Sequence, residues 1–206
     1  LQEILSTHDG LWNTPAMKGE NSRGRASRLR IAESMLDLLR DGVQPTVAEV
    51  AARAELSERT VFHHFAERDR VLELAAELQV ARVLSMVRPV PADLPLERRI
   101  RRFARGRSNV LEDITPVRRA AALVEAGAPR LRELRDGVLD AARREVEATF
   151  APELASMAPA VRRRRAAALD AATTWAAWDH LRTSAGLSVP QAEAVLRDAG
   201  AALLAA

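Results

Sequence analysis

Apolar residues recur along most of the chain at intervals of three and four positions, which is the period of an α-helix with one buried face. Glycine and proline fall between these periodic runs, and alanine, leucine, arginine and glutamate, which favour helices, fill them. No segment has the strict alternation of apolar and polar residues that predicts a strand. The clearest stripes are Ile31, Met35, Leu38 and Leu39, then Val47, Val50, Ala51 and Ala54. The pattern predicts an all-α protein.

Capping residues locate several helix ends. Ser27 is the expected N-cap of the first helix, and Gly42 supplies the left-handed position that helix C-termini favour. Thr46 and Glu49 have the spacing of a capping box, and Ser57 is the expected N-cap of a third helix after a break at 54–56. The predicted helices span about 27–41, 46–54, 57–65, 67–86, 96–113, 116–126, 129–150, 159–184 and 189–205.

Composition narrows the class of protein. The chain has 206 residues, of which 48% are hydrophobic and 29% are charged, which is typical of a globular protein and not of a disordered one. No apolar run approaches the roughly 18 residues of a membrane span, and residues 1–22 lack the layout of a signal peptide. With no cysteine, the sequence offers no disulfide and no thiolate site, which fits a cytoplasmic location.

The third helix has two chemically different faces. At about 100° per residue, Val61, Phe62 and Phe65 share one side and are predicted to be buried against the two preceding helices. The opposite side is predicted to face outward and carries Arg59, Thr60, His63 and His64.

Three kinds of site could use such adjacent histidines: a metal site, a catalytic base or a nucleic-acid contact. His63 and His64 are about 100° apart, so they do not chelate one metal ion, and the sequence marks no partner to orient a catalytic base. A helix of two turns fits the DNA major groove, and Ser57 and Thr60 lie at its N-terminus, which favours an anion. A DNA contact is therefore favoured, with a merely solvated helix as the alternative.

The segments "SRLRIAESMLDLLRDG", "TVAEVAARAELSERTVFHHF" and "AERDRVL", between Ser27 and about Leu72, resemble the tetracycline-repressor (TetR) family of bacterial transcriptional regulators. The resemblance implies an N-terminal three-helix DNA-binding head with a helix-turn-helix, linked by a long fourth helix to a C-terminal helical bundle that dimerises. It also implies a division of the chain into a flexible leader and basic arm (1–26), a DNA-binding domain (27–72) and a ligand-binding and dimerisation domain (73–206).

The resemblance assigns roles to single positions. Thr46 matches a phosphate contact, Arg68 matches a phosphate-binding lysine, and Arg59, Thr60, His63 and His64 match positions that touch bases or phosphates. Two positions depart from the family. Glu55 stands where glycine is frequent, so a left-handed conformation there would cost about 1 kcal/mol, and Phe62 stands where tyrosine is common, so it lacks a hydroxyl for phosphate.

Basic residues precede the first apolar stripe without an acidic neighbour among them: Arg23, Arg25, Arg28 and Arg30. An arm of this kind can enter a minor groove or follow phosphates, and a solvated leader is the equal alternative. We include Arg25, Arg28 and Ser57 among the predicted DNA contacts.

The long C-terminal helices require an explanation that DNA binding does not supply. Small residues recur in 159–184 and apolar ones in 189–205, so these last two helices are predicted to form a four-helix interface in a homodimer, with an intramolecular core as the alternative. The resemblance also implies a pocket for a small-molecule effector. Candidate lining residues are Phe103, Leu123, Phe150, Met157, Trp175, Trp178 and His180. The alternative for this set is a plain apolar core with a structural histidine.

The residues and the resemblance together predict a homodimeric transcriptional regulator that binds a near-palindromic operator in double-stranded DNA. That it is a repressor and responds to a ligand is what the resemblance implies. The alternatives are an all-helical protein-interaction module without DNA binding and, least favoured, an enzyme in the bundle. No helical carboxylate–histidine pairing, Gly-rich phosphate loop or nucleophile elbow is present. We therefore predict no catalytic residue, no metal, no cofactor and no membrane association.

Overall fold

The computed structural model describes residues 22–42, 45–64 and 68–205, and these residues form helices joined by short connections, with no strand among them. The all-α prediction is confirmed. The helices are α1 (Ser22–Arg40), α2 (Val47–Arg53), α3 (Glu58–His64), α4 (Arg68–Met86), α5 (Leu96–Val124), α6 (Pro129–Thr149), α7 (Ala151–Ser156), α8 (Pro159–Ala172), α9 (Trp175–Thr183) and α10 (Val189–Leu204). A 3₁₀ turn, Glu125–Gly127, precedes α6. No helix in the described ranges is long and apolar enough to cross a bilayer.

The chain folds into two compact units, each built from two separate stretches of sequence. The N-terminal unit contains α1 to α4 together with Pro116–Asp136, and the C-terminal unit contains Val87–Thr115 and Gly137–Ala206. These units differ from the predicted domains, because 116–136 packs into the core of the first four helices. The predicted functional boundary after residue 72 stays a prediction.

Two helix boundaries in the second half of the chain were predicted wrongly. Pro116 lies inside α5 and does not end it, because the following turns bury Val117, Ala120 and Ala121 in the N-terminal unit. The segment 159–184 is interrupted at Thr173 and Thr174, so it forms two helices. The hydroxyl of Thr173 donates to the Leu169 carbonyl at 2.9 Å, and the hydroxyl of Thr174 accepts from the amide of Ala177 as the N-cap of α9. Hydroxyl side chains thus stabilise the break.

The first helix also differs from its predicted start. It begins at Ser22, five positions before the expected N-cap at Ser27, so its first turns carry the arginines that were assigned to an arm. Its C-terminus is as predicted: Gly42 has φ +78°, and its amide donates to the Leu39 carbonyl at 3.1 Å. The predicted leader up to residue 21 lies outside the described residues.

The core of the N-terminal unit is the apolar stripe of α1, which packs against α2, α3 and α4. Ile31, Met35 and Leu39 are each at most 3% exposed, and burying a side chain of this size stabilises the fold by about 1.5–3 kcal/mol. Polar bonds fix the same helices: Arg40 donates to the amide oxygen of Gln79 on α4 at 2.6 Å. Helix α3 is therefore supported by the packed core of α1, α2 and α4.

The C-terminal unit has an apolar core crossed by buried ion pairs. Phe103 and Phe150 meet edge to face with ring centroids 5.2 Å apart. Arg99, 3% exposed, donates to the carboxylate of Glu153 and, at 2.9 Å, to the carbonyl of Thr149. These hydrogen bonds from Arg99 hold the pKa of Glu153 below its usual range, against the opposing effect of burial. Arg99 therefore joins α5 to α6 and α7.

Candidate nucleic-acid interface

A tight turn sets the direction of α3 relative to α2. Glu55 has φ +54°, the left-handed conformation that glycine adopts most readily. The amide of Leu56 then donates to the Ala51 carbonyl at 2.9 Å, which closes the end of α2. The two short helices and this turn have the order of a helix-turn-helix, in which the second helix is presented to solvent.

Helix α3 is anchored by one side chain and exposes most of the others. Val61 is 2% exposed and belongs to the core of the N-terminal unit. Arg59 and His63 are exposed, and Thr60 and His64 are partly buried. The two imidazole rings are 5.5 Å apart in an edge arrangement. The four residues of the predicted polar face therefore lie together on one short helix, where their side chains can donate hydrogen bonds.

Phe62 corrects the prediction that the aromatic side of α3 is buried. Its side chain is 54% exposed. Helix α3 is only two turns long, and Val61 is the residue directed at α1 and α2; Phe62 lies about 100° further round, beyond that narrow contact. Phe65 lies outside the described residues. An exposed phenyl ring therefore adjoins the histidines.

The N-termini of α2 and α3 have the predicted capping arrangements. The hydroxyl of Ser57 accepts from the amide of Thr60 at 3.1 Å and pairs with its hydroxyl at 2.8 Å. At α2 the Thr46 hydroxyl accepts from the amide of Glu49, and the Glu49 carboxylate accepts from the Thr46 amide at 2.7 Å and hydroxyl at 2.8 Å. These bonds lower the pKa of Glu49. A carboxylate therefore occupies the position at Thr46 where a phosphate contact is predicted.

The remaining predicted DNA contacts lie on α1 and α4. Arg25 is exposed and Arg28 is partly buried, and both belong to helical turns of α1, so they are held on a rigid element. Arg68 begins α4, but its side chain is outside what the structure describes. The structure describes the side chains of eight of the nine predicted residues, and the role of all nine in DNA binding stays a prediction.

The predicted effector-pocket residues do not come together as one group. Phe103, Phe150 and Met157 share one apolar cluster of the C-terminal unit, and Trp175 and Trp178 share another. Leu123 is 75% exposed and belongs to the N-terminal unit, and His180 is exposed. Both indole N–H groups are bonded internally: that of Trp178 to Glu112 at 3.0 Å and that of Trp175 to Thr115 at 3.2 Å.

In the part of the chain that the structure describes, no three histidine or carboxylate side chains are grouped closely enough to hold a metal ion. The histidine pair of α3 is accompanied by Arg59 and Thr60. Neither residue is an acidic ligand of the kind a divalent cation recruits. The face is better suited to an anionic ligand.

Comparison with known proteins gives a structural likeness. No protein-family model matches the sequence, and no curated protein matches it significantly. Among solved structures, a transcriptional regulator from Rhodococcus sp. Rha1 superposes with a TM-score of 0.65 and 24% sequence identity, over 86% of this chain and 95% of that chain. At this identity the likeness concerns the fold: the chain shares the all-α architecture of that regulator.

Proposed function

We propose that the protein is a sequence-specific DNA-binding transcriptional regulator. The observation that carries the proposal is the geometry of α3, the second helix of a helix-turn-helix, which is anchored by Val61 and exposes Arg59 and His63. Arginine and imidazole donors at this spacing suit base edges and phosphates in a major groove. The regulator from Rhodococcus has the same fold, which supports the proposal.

We further propose that the protein acts as a homodimer and a repressor. Helices α8 and α10 leave apolar positions exposed, including Ala167, Ala171 and Val195, the last 40% exposed. Two copies joined through these helices would carry two copies of α3, which suits a near-palindromic operator.

For a small-molecule effector, the aromatic cluster around Phe103 and Phe150 is the candidate site, and binding there would release DNA.

Selection of bound fragments from random DNA with the purified protein tests the central proposal. We expect one enriched motif with two inverted half-sites. The affinity for that motif should fall steeply with salt, since each neutralised phosphate releases counterions. Recovery of no motif, together with salt-independent retention, would instead favour the alternative of a protein-interaction module.

A pair of variants connects that motif to α3. Arg59→Ala should weaken binding about fivefold or more, because an arginine contact to a base or phosphate contributes about 1–3 kcal/mol. Arg144→Ala removes the same charge from an exposed position on α6, away from α3 and from the helices proposed for dimerisation, and should leave the affinity within about twofold. Equal losses in both variants would indicate binding through net charge and would contradict the assignment of α3.

A further inference from the structure

The first half of α5 separates its arginines by face. On the buried side, Arg99 and Arg107 are 3% and 7% exposed, and each has a carboxylate partner on another helix. Glu153 on α7 accepts from Arg99, and Glu145 on α6 accepts from Arg107 at 2.7 Å. Where another helix of the chain packs against α5, it therefore supplies a carboxylate to the arginine.

On the opposite face three arginines form a line without such partners, which we call the α5 arginine stripe: Arg98, Arg102 and Arg105. They lie at i, i+4 and i+7, within an arc of about 60° and a length of about 10 Å. All three side chains are exposed, and within the part of the chain that the structure describes none of their guanidinium groups makes a hydrogen bond or an ion pair. The neighbouring Arg101 differs, since it pairs with Glu97 of its own helix at 3.0 Å.

The α5 arginine stripe does not serve the stability of α5. Cations in the first turns of a helix are opposed by the helix dipole, and like charges at i and i+4 repel each other. Each effect destabilises the helix by a few tenths of a kcal/mol, and here no carboxylate on the same face offsets them. The stripe is therefore explained better by a partner than by the folding of this chain.

We propose that the α5 arginine stripe docks a helical acidic segment of another protein, with carboxylates spaced i, i+4 and i+7. Guanidinium groups bind carboxylates through two parallel hydrogen bonds. Arg182 makes this kind of contact inside the C-terminal unit, where Nε and Nη2 donate to the two oxygens of Glu112, each at 3.2 Å. An acidic helix laid on the exposed face would repeat the arrangement that α6 and α7 provide on the buried face.

Other anionic partners fit this surface less well. A lipid surface would call for large apolar side chains beside the cations, but the exposed ones in the described residues are Phe62, Leu123, Val138 and Val195, outside the first half of α5. Single-stranded nucleic acid would call for aromatic stacking residues, and no aromatic side chain is exposed on this stretch of α5. Duplex DNA remains the competing polyanion for the test.

The test is an NMR titration of the ¹⁵N-labelled 206-residue chain at low ionic strength, where exposed ion pairs are least screened. The probe is an alanine-rich helical peptide of about 20 residues with glutamates at i, i+4 and i+7. A second peptide has the same composition with its glutamates spread around the helix. A short duplex without the operator is titrated in parallel. We expect the first peptide to shift the amide signals of residues 98–109 in a saturable manner and to bind more tightly than the other two ligands.

Two triple variants with the same change in charge make the test specific. Arg98→Gln/Arg102→Gln/Arg105→Gln should weaken peptide binding about tenfold, as expected for the loss of three exposed ion pairs. Arg162→Gln/Arg163→Gln/Arg164→Gln removes three exposed arginines from α8 and should change the affinity less than twofold. The proposal is overturned if no peptide binds, if both triple variants weaken binding equally, if the two peptides bind alike, or if the duplex is preferred at the stripe.

Discussion

Glu55 is the only non-glycine residue with a positive φ in the part of the chain that the structure describes. An L-residue in the left-handed region is destabilised by about 1–2 kcal/mol relative to glycine, because its Cβ crowds the neighbouring carbonyl. Replacing Glu55 by glycine removes this penalty. Part of the gain in folding free energy is lost, because glycine gives the unfolded chain more conformational freedom. Glu55→Gly should therefore raise the free energy of unfolding by about 0.5–1 kcal/mol, measured by urea denaturation.

The matched control at this position is Glu55→Ala. It removes the same charge and side chain but keeps the Cβ, so it should stay within about 0.5 kcal/mol of the parent protein. If alanine stabilised the protein as much as glycine, the origin of the effect would be the removed carboxylate and not the backbone conformation.

Arg99 and Arg98 are neighbours in sequence with opposite environments. Arg99→Ala should destabilise the C-terminal unit by about 3 kcal/mol, because it leaves the Glu153 carboxylate and the Thr149 carbonyl without their buried donor. Arg98→Ala removes an exposed side chain without a partner and should change stability by less than about 0.5 kcal/mol. Thermal unfolding of both variants at one pH makes the comparison, and equal shifts would mean that the internal bonds of Arg99 contribute nothing.

At the scale of the element, the capping box of α2 affects both stability and DNA binding. Glu49 is fully charged at neutral pH, since its bonds to Thr46 lower its pKa. Because the pKa of Glu49 is lower in the folded than in the unfolded protein, the charged carboxylate stabilises the fold. This contribution is present above the unfolded-state pKa and is lost as the pH falls through the folded-state pKa. The same charge repels a phosphate approaching Thr46.

Glu49→Gln separates these two effects, because glutamine can keep the capping hydrogen bonds without the charge. We expect DNA binding to strengthen about threefold at fixed salt, as for one removed like-charge contact, and the acid-side loss of α2 stability to diminish. Thr46→Val, which removes the hydroxyl, should instead weaken both DNA binding and the stability of α2. Gel-shift affinities of the two variants decide: weaker binding by Glu49→Gln would show that no phosphate lies at this position.

The sequence pattern was sufficient to locate α2 and the start of α3, and it failed at the boundaries of α5, α8 and α9. Periodicity and capping residues located both ends of α2 and the start of α3 closely, since those signals are local. Pro116 was taken as a break although burial of the turns that follow it carries α5 onward. The break at Thr173 and Thr174 has no glycine or proline, and depends on hydroxyl-to-carbonyl bonds that many helical threonines also make.

At the scale of the whole molecule, the fold class and the outward polar face of α3 followed from the sequence, and the exposure of Phe62 did not. A helical wheel assumes a partner surface wide enough to cover one side, whereas α1 and α2 cover mainly Val61. The residues predicted to line an effector pocket lie in two apolar clusters and at two exposed positions, a distribution that spacing along the chain could not reveal, and their role stays a prediction. The α5 arginine stripe was visible as an i, i+4, i+7 spacing, but its exposure required the structure.

The proposed homodimer makes the last prediction. Val195 on α10 is 40% exposed, and Val195→Glu would bury a charge in the interface if two copies meet there. We expect sedimentation analysis to show a dimer for the parent protein and mainly a monomer for the variant at micromolar concentration. Operator affinity should fall at least tenfold, since a monomer contacts one half-site.

Arg197→Gln makes the same change in net charge at an exposed position of the same helix and should leave both measurements unaltered. A parent protein that sediments as a monomer, or a Val195→Glu variant that remains dimeric, would exclude this face of α10 as the interface.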